Sequence, residues 1–224
     1  MLNSKTIGIL GGIGPEATAY FYKKLIKQIQ QNFNIQSNND YPHIIINSIP
    51  LPDMIDEEIQ KNIPESIIKG LNELNSLHTN FNVIICNSAY VFYNEFISKT
   101  KDNIINLEFV VKKTLTKQQV KNYALIGTPL TTKYLYNFPG LNKLIVSDKE
   151  QMILNDIIIR FNQGKTTYND KLFIKNIIEK LRHKGAETVV LACTELELLG
   201  LEFSHTIKPL ELLGDEVLNR LKGD

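Results

Sequence analysis

Residues 7–17 of the chain read Ile7-Gly8-Ile9-Leu10-Gly11-Gly12-Ile13-Gly14-Pro15-Glu16-Ala17. The apolar beginning of this stretch predicts a buried strand, the glycines that follow it predict a tight turn, and Pro15 suits the first position of a helix. A strand that passes through a short turn into a helix is the building unit of α/β proteins. We therefore expect the chain to begin with one such unit.

The glycine turn also matches, loosely, the fingerprint of a dinucleotide-binding loop, through Gly12, Gly14 and Ala17. The residues between them argue against this ligand. Pro15 has no backbone N–H to offer a pyrophosphate, and Glu16 places a negative charge where the pyrophosphate would lie. We interpret Gly12 as a residue that lets the backbone approach a small ligand closely. A plain strand-to-helix turn and a nucleotide-binding Rossmann domain are the alternatives.

Further along the chain, short apolar runs alternate with longer segments whose apolar residues recur at helical spacing. The short runs predict buried parallel strands at residues 7–10, 44–46, 83–85, 123–126, 144–146 and 189–191. The longer segments predict helices that include residues 63–74, 150–163, 174–181 and 210–221. The fold class is therefore α/β, with two pseudo-symmetric lobes, each a mainly parallel sheet flanked by helices, and an active site in the cleft between them.

The boundary between the lobes is expected in the polar stretch 112–122, just before a new strand. The first lobe would span residues 1–115 and contain Cys86, and the C-terminal helix at residues 208–224 would complete it. The second lobe would span residues 116–207 and contain Cys193. No Gly/Ser-rich linker separates them, so we expect the lobes to pack directly against each other.

The composition is that of an ordinary globular protein of 224 residues, 43% hydrophobic and 22% charged. Its formal net charge is +1, and it has no basic stretch that could follow a phosphate backbone, so we expect no nucleic-acid partner. No apolar run approaches the ~18 residues of a membrane span, and the apolar start is too short for a signal peptide. We predict a cytoplasmic protein that does not bind membranes and keeps its thiols reduced.

The two cysteines of the chain occupy matching places. Cys86 follows the apolar run 83–85, and Cys193 follows the apolar run 189–192. Because ligands of parallel sheets lie beyond the carboxyl ends of the strands, both thiols are expected to line one cleft. A disulfide is disfavoured in a reducing compartment, and no closely spaced Cys or His pair indicates a metal site. Burial as a small apolar side chain is the alternative for either cysteine alone.

A pair of opposed thiols suits proton transfer at a stereocentre, because one can act as base on one face while the other acts as acid on the opposite face. A helix that begins after each cysteine would lower the thiol pKa. Donors for a carboxylate follow each cysteine, and a capping hydroxyl after strand 123–126 could also face the cleft: Asn87, Ser88, Thr194 and Thr128. Of the acidic residues after Cys193, Glu195 is expected to support the site and Glu197 to be exposed.

Three segments together resemble the aspartate/glutamate racemase family, most closely its aspartate racemase branch: residues 7–18, Cys86-Asn87-Ser88-Ala89 and Ala192-Cys193-Thr194-Glu195. The resemblance implies a racemase that needs no pyridoxal phosphate or other cofactor, acts on an amino acid as its small-molecule substrate and forms a homodimer. It implies that Cys86 and Cys193 are the base and the acid. It also implies that the α-carboxylate is held by Asn87, Ser88, Thr128 and Thr194.

Four of the positions at which the chain departs from the family pattern bear on the predicted site. Ser88 replaces a threonine and keeps its hydroxyl. Tyr90 stands where a histidine is usual, so we expect Tyr90 to support the site without titrating near neutral pH as a histidine does. Met54 lies in a segment that often carries an arginine, and Met152 aligns with a lysine. Because both basic groups are associated with carboxylate recognition, we expect Met54 and Met152 to face a substrate side chain that is not acidic. The alternative is a racemase-like binding or regulatory protein without turnover.

Overall fold

The computed structural model describes residues 2–55, 63–100, 103–200 and 204–223. The remaining residues of the two predicted lobes lie outside the described residues. The strands are β1 (Thr6–Gly11), β2 (His43–Ser48), β3 (Phe81–Ile84), β4 (Asn122–Gly127), β5 (Asn142–Ile145), β6 (Thr188–Ala192) and β7 (Thr206–Ile207). The helices are α1 (Pro15–Asn32), α2 (Ile63–Ser76), α3 (Tyr93–Thr100), α4 (Leu107–Lys117), α5 (Pro129–Tyr134), α6 (Asp148–Asn162), α7 (Tyr168–His183), α8 (Thr194–Leu198) and α9 (Pro209–Lys222).

Two separate parallel sheets form the centre of the molecule. The first has the strand order β2-β1-β3, and the second has the order β5-β4-β6-β7. Every strand pair in them is parallel. The prediction of an α/β fold with two parallel sheets is confirmed, as is each predicted strand. The short strand β7 at the edge of the second sheet has no counterpart in the sequence prediction.

The buried strands owe their positions to continuous apolar runs. All side chains of β3 and β6 are buried, whereas those of the edge strands β2 and β5 are half-buried or exposed. Parallel strands covered by helices on both faces are expected to show this pattern. One hydrophobic core covers the first sheet and one face of the second sheet, and a second core covers the opposite face of the second sheet.

The helices begin largely where the sequence predicts. Pro15 opens α1, and Ser147 and Glu150 form a capping box that starts α6 two residues before the predicted position. Helix α9 packs against α1 and α4. Helix α4 runs through the predicted boundary at residue 115, because the polar residues there form its exposed side; the division into two lobes stays a prediction. None of the described helices is long and apolar enough to cross a bilayer.

Candidate active site

A small cleft lies at the carboxyl ends of β1, β3, β4 and β6, where the turns after these strands meet. Its volume is about 100 Å³, below the ~300–1,000 Å³ of pockets that hold drug-sized ligands, so it suits an amino acid better than a dinucleotide. Most of the predicted site residues line it: Gly12, Met54, Cys86, Asn87, Ser88, Thr128, Cys193, Thr194 and Glu195.

The Cys86 thiol lies just beyond the end of β3, before a 3₁₀ turn at Ser88–Phe92. It is a free thiol and is 7% exposed. Burial, and after it the negative charge of Glu195, raise the pKa of Cys86 to about 12, although the backbone N–H groups of Ala89 and Ser88 act in the opposite direction. Cys86 is therefore protonated at neutral pH.

The Cys193 thiol lies at the start of α8, where Cys193 is the N-terminal cap residue. Its sulfur donates a hydrogen bond to Oε2 of Glu195 at 2.9 Å, and the hydroxyl of Thr194 donates to the same oxygen at 3.0 Å. Burial, followed by the charge of Glu195, raises the pKa of Cys193 well above its usual value. The thiol and the carboxylate therefore form a buried pair that shares one negative charge.

The expectation that helix N-termini lower both thiol pKa values is wrong. For each thiol the largest cause is burial, which disfavours the charged form. The helices that follow the cysteines are short, and the N–H groups near each sulfur only partly offset this effect. Thiolate formation in this cleft therefore requires a nearby proton acceptor.

Glu195 is such an acceptor. It is buried, and burial raises the pKa of its carboxyl above the usual range, although hydrogen bonds from Cys193 and Thr194 lower it. Its position depends on Gly14, because a Cβ atom at Gly14 would lie only 2.8 Å from Oε1 of Glu195. Gly14 therefore leaves space for this carboxylate, a role that the glycine turn did not reveal in the sequence.

Three buried hydroxyl groups connect the turn after β3 to the start of α5 beside the cleft. Oγ of Ser88 lies 2.8 Å from Oγ1 of Thr128 and 2.9 Å from Oγ1 of Thr131. Thr128 also caps α5 as predicted, because its hydroxyl accepts the N–H of Thr131 at 3.2 Å. Thr131 was not identified from the sequence, although it lies one helical turn after the cap.

Asn87 lines the cleft and is 2% exposed. Its side-chain oxygen accepts a hydrogen bond from the hydroxyl of Tyr136 at 2.6 Å. Its Nδ2 group has no hydrogen-bond partner among the described residues. A buried amide donor without a partner is unfavourable, and a carboxylate in the cleft would supply the missing acceptor.

The structure separates the two methionines that were predicted to face the substrate. Met54 is buried and lines the cleft. Met152 is 69% exposed and does not line it, so the prediction for Met152 is wrong. The reason is helix phase, because the buried face of α6 carries Leu154 and Ile158, and Met152 points to the opposite side. The residues of α6 that line the cleft are Ile158 and Asn162. Both follow Leu154 at intervals of four residues, so the helical spacing could have placed them on the buried face.

Gly12 and Tyr90 play structural roles. Gly12 lines the cleft, but its N–H donates to the hydroxyl of Thr18 at 3.0 Å, and a Cβ atom there would lie 2.3 Å from the carbonyl oxygen of Ile49. The close approach that requires this glycine is thus to the protein backbone. Tyr90 is buried below the cleft, where its hydroxyl accepts the N–H of Ile84 at 3.3 Å and burial raises its pKa.

Glu197 is buried, so the expectation of an exposed carboxylate is wrong. Its two carboxylate oxygens accept the backbone N–H of Leu210 at 2.9 and 3.2 Å. It thereby joins α8 to the first turn of α9, and burial raises its pKa well above the usual value. Helix α8 has only five residues, so the spacing of its apolar side chains does not show which of its faces a distant helix covers.

The cleft carries acidic groups and, among the described residues, no basic side chain. Asp53 lines it together with Glu195, and Oδ1 of Asp53 accepts the side-chain amide of Asn162 at 2.7 Å. No group of three or more potential metal ligands occurs in the described part of the chain. The electrostatics of the cleft therefore disfavour a second anionic group on a ligand.

Comparison with known proteins identifies the family. A sequence model of the Asp/Glu/hydantoin racemase family matches residues 10–212, which is most of the chain. The chain belongs to this family. Membership in the Asp/Glu/hydantoin racemase family confirms the resemblance carried by the glycine turn and the two cysteine motifs, and it confirms the prediction of an isomerase.

Individual members of the racemase family resemble the chain over most of its length. It is 26% identical to the broad specificity amino-acid racemase RacX of Bacillus subtilis over 197 residues. This aligned region covers 85% of each protein. The Picrophilus torridus aspartate racemase is 24% identical, with a TM-score of 0.80 over 97% of this chain and 94% of the other. An aspartate racemase homologue from Pyrococcus horikoshii is 23% identical, with a TM-score of 0.78 over 97% and 99%. The two structures show a shared fold.

Proposed function

We propose that the protein is an amino-acid racemase or epimerase that needs no cofactor and uses Cys86 and Cys193 as acid and base at the α-carbon. The observation that carries this proposal is that both thiols line one small cleft, one after β3 and one after β6. The unpaired amide donor of Asn87 beside them supports a bound carboxylate. Family membership supports the reaction class.

The proton balance of the reaction follows from the pair of Cys193 and Glu195. The Cys193 thiol gives its proton to Glu195 along the 2.9 Å hydrogen bond, and the resulting thiolate removes the α-proton of the substrate. The Cys86 thiol then donates a proton to the opposite face of the carbanion. The products are the inverted amino acid, a Cys193 thiol, a protonated Glu195 carboxyl and a Cys86 thiolate. That state is ready for the reverse reaction, so one negative charge serves both directions.

The substrate side chain is proposed to carry no negative charge. Asp53 and Glu195 are the charged residues of the cleft in the described part of the chain, and Met54 adds an apolar wall. A side-chain carboxylate would meet two acidic groups without a basic partner. An amide or an apolar side chain avoids this repulsion.

We expect kcat/KM for asparagine and for leucine to exceed that for aspartate by about tenfold or more, a difference of ~1.4 kcal/mol. Asparagine and aspartate are nearly equal in shape, so their ratio isolates the effect of charge. Chiral chromatography of each amino acid after incubation with the enzyme measures the rates. Aspartate as the preferred substrate would contradict the proposed specificity.

A matched pair of variants tests which methionine contacts the substrate. Met54→Ala should raise KM for leucine severalfold, because it removes apolar contacts from the cleft wall. Met152→Ala should leave the kinetics unchanged, because its side chain is at the surface. Equal effects of the two substitutions would show that the cleft described above does not hold the side chain.

The second candidate function is a binding or regulatory protein without turnover, which Tyr90 in place of a histidine favours. It predicts thermal stabilisation by these amino acids without exchange of the α-hydrogen in D2O. Homodimer formation, a cytoplasmic location and independence from pyridoxal phosphate stay predictions.

A further inference from the structure

Among the described hydrogen bonds, Tyr136 reaches the cleft through Asn87. It lies in the segment that joins α5 to β5, its side chain is completely buried, and its hydroxyl donates to Oδ1 of Asn87 at 2.6 Å. It is not among the residues that line the cleft. Any effect of Tyr136 on a ligand must therefore pass through the amide of Asn87.

The backbone and ring of Tyr136 are held from several sides. Its N–H donates to Oε1 of Glu108 at 2.9 Å, and its carbonyl accepts the hydroxyl of Tyr123. Its ring packs edge-on against Phe138, with 6.2 Å between centroids. Its φ of 55° lies in the left-handed region, which costs about 1 kcal/mol for a residue that is not glycine. These contacts hold the hydroxyl in place despite an unfavourable backbone conformation.

The direction of this hydrogen bond determines what Asn87 offers to a ligand. The oxygen and nitrogen of an asparagine amide have nearly the same shape, so only hydrogen-bond partners decide which one faces the cleft. Burial raises the pKa of Tyr136 well above its usual value, so the hydroxyl keeps its proton and donates it. The amide oxygen is therefore turned toward Tyr136 and the Nδ2 group is left for another acceptor.

We propose that Tyr136 is a positioning residue that fixes the amide of Asn87 so that Nδ2 donates to the α-carboxylate of the substrate. The proposal rests on the proposed function, because it assigns the partner of Nδ2 in the same cleft. Without the tyrosine hydroxyl, the amide can turn its oxygen toward the carboxylate and repel it. Tyr136 thus acts on substrate affinity and not on the proton transfer itself.

The experiment is a double-mutant cycle with leucine as the probe. Tyr136→Phe should raise KM for leucine about tenfold while kcat changes less than about threefold, as expected for a lost hydrogen bond to a charged group. In an Asn87→Ala background, Tyr136→Phe should have no further effect on KM. An equal effect in both backgrounds would show a merely structural role and overturn the proposal.

A matched control is Tyr93→Phe, which removes a hydroxyl that donates to the carbonyl of Ile104 at 3.2 Å, at a residue that is not among those lining the cleft. It should change neither KM nor kcat. If the wild type binds leucine without turnover, the proposed function fails, and the same cycle is measured by calorimetric Kd with the same expected pattern. If the wild type neither turns over nor binds leucine, asparagine or aspartate, the cleft holds no α-carboxylate and the role of Tyr136 is contradicted too.

Discussion

Replacing either Cys86 or Cys193 with serine is expected to lower kcat for racemisation by about 10³-fold. A serine hydroxyl is a far weaker acid than a thiol, so it can neither form the anion that removes the α-proton nor readily donate a proton to the carbanion. General acid–base groups typically contribute ~10²–10⁴-fold, and inversion of the α-carbon requires one on each face. Either substitution therefore stops the same step.

The measurement is the rate of D-leucine formation from L-leucine, and of the reverse, by chiral chromatography. Serine is nearly isosteric with cysteine, so circular dichroism and the thermal midpoint should stay close to those of the wild type. The Cys86→Ser/Cys193→Ser double variant should lose little more activity than either single variant, because the thiols act as a unit. A single variant that keeps more than a tenth of the wild-type rate would contradict the assigned pair.

Glu195→Gln is expected to lower kcat at neutral pH by about 10²-fold or more. In the wild type this carboxylate accepts the hydrogen bond from the Cys193 thiol and is proposed to take its proton. Glutamine cannot accept a proton, so the thiolate of Cys193 must form by loss of a proton to solvent. Since the thiol pKa lies well above neutral pH, this form is scarce.

The pH dependence of the Glu195→Gln variant gives a second readout. Loss of the carboxylate charge should lower the pKa of both cysteines, but burial, the larger cause for each, keeps them above the ordinary value. The variant's rate should therefore rise about tenfold per pH unit on the alkaline side, whereas the wild-type rate flattens once Glu195 is ionised. A wild-type rate at neutral pH in the variant would exclude Glu195 as the proton acceptor.

Glu197→Gln is the matched control for this experiment. Glu197 lies on the same short helix, is also buried and also has a raised pKa, but its oxygens contact the N–H of Leu210 and no sulfur atom. Glutamine can still accept that hydrogen bond, so activity should stay within about threefold of the wild type. A similar loss in both variants would indicate a general effect on α8.

The sequence allowed correct prediction of features that depend on residues close together along the chain. The apolar runs located the strands, Pro15 located the start of α1, and Thr128 was recognised as a cap. Each cysteine was predicted beyond the carboxyl end of its strand, where the ligands of parallel sheets lie, and the expected direct packing of the two sheets brings both thiols to one cleft.

Features that depend on residues distant in sequence could not be predicted. The pKa values of the two thiols depend on burial in the folded protein, which outweighs the local helix ends. The burial of Glu197 depends on α9, and the orientation of Asn87 depends on Tyr136, which lies 49 residues away. Met152 is a different case. The alignment with the family pattern wrongly predicted that Met152 faces the substrate, whereas the helical spacing of the buried residues would have indicated Ile158 as the residue of α6 in the cleft.

Proton transfer by two opposed thiols is tested most directly by the position of deuterium after the first turnovers in D2O. L-leucine should be incubated with the wild-type enzyme, the reaction stopped at a few per cent conversion, and the two enantiomers separated for mass spectrometry. Since Cys86 and Cys193 act on opposite faces, the D-leucine formed should carry deuterium at the α-carbon while the remaining L-leucine carries almost none. D-leucine that retains the original proton, or equal labelling of both enantiomers from the start, would contradict a two-thiol mechanism.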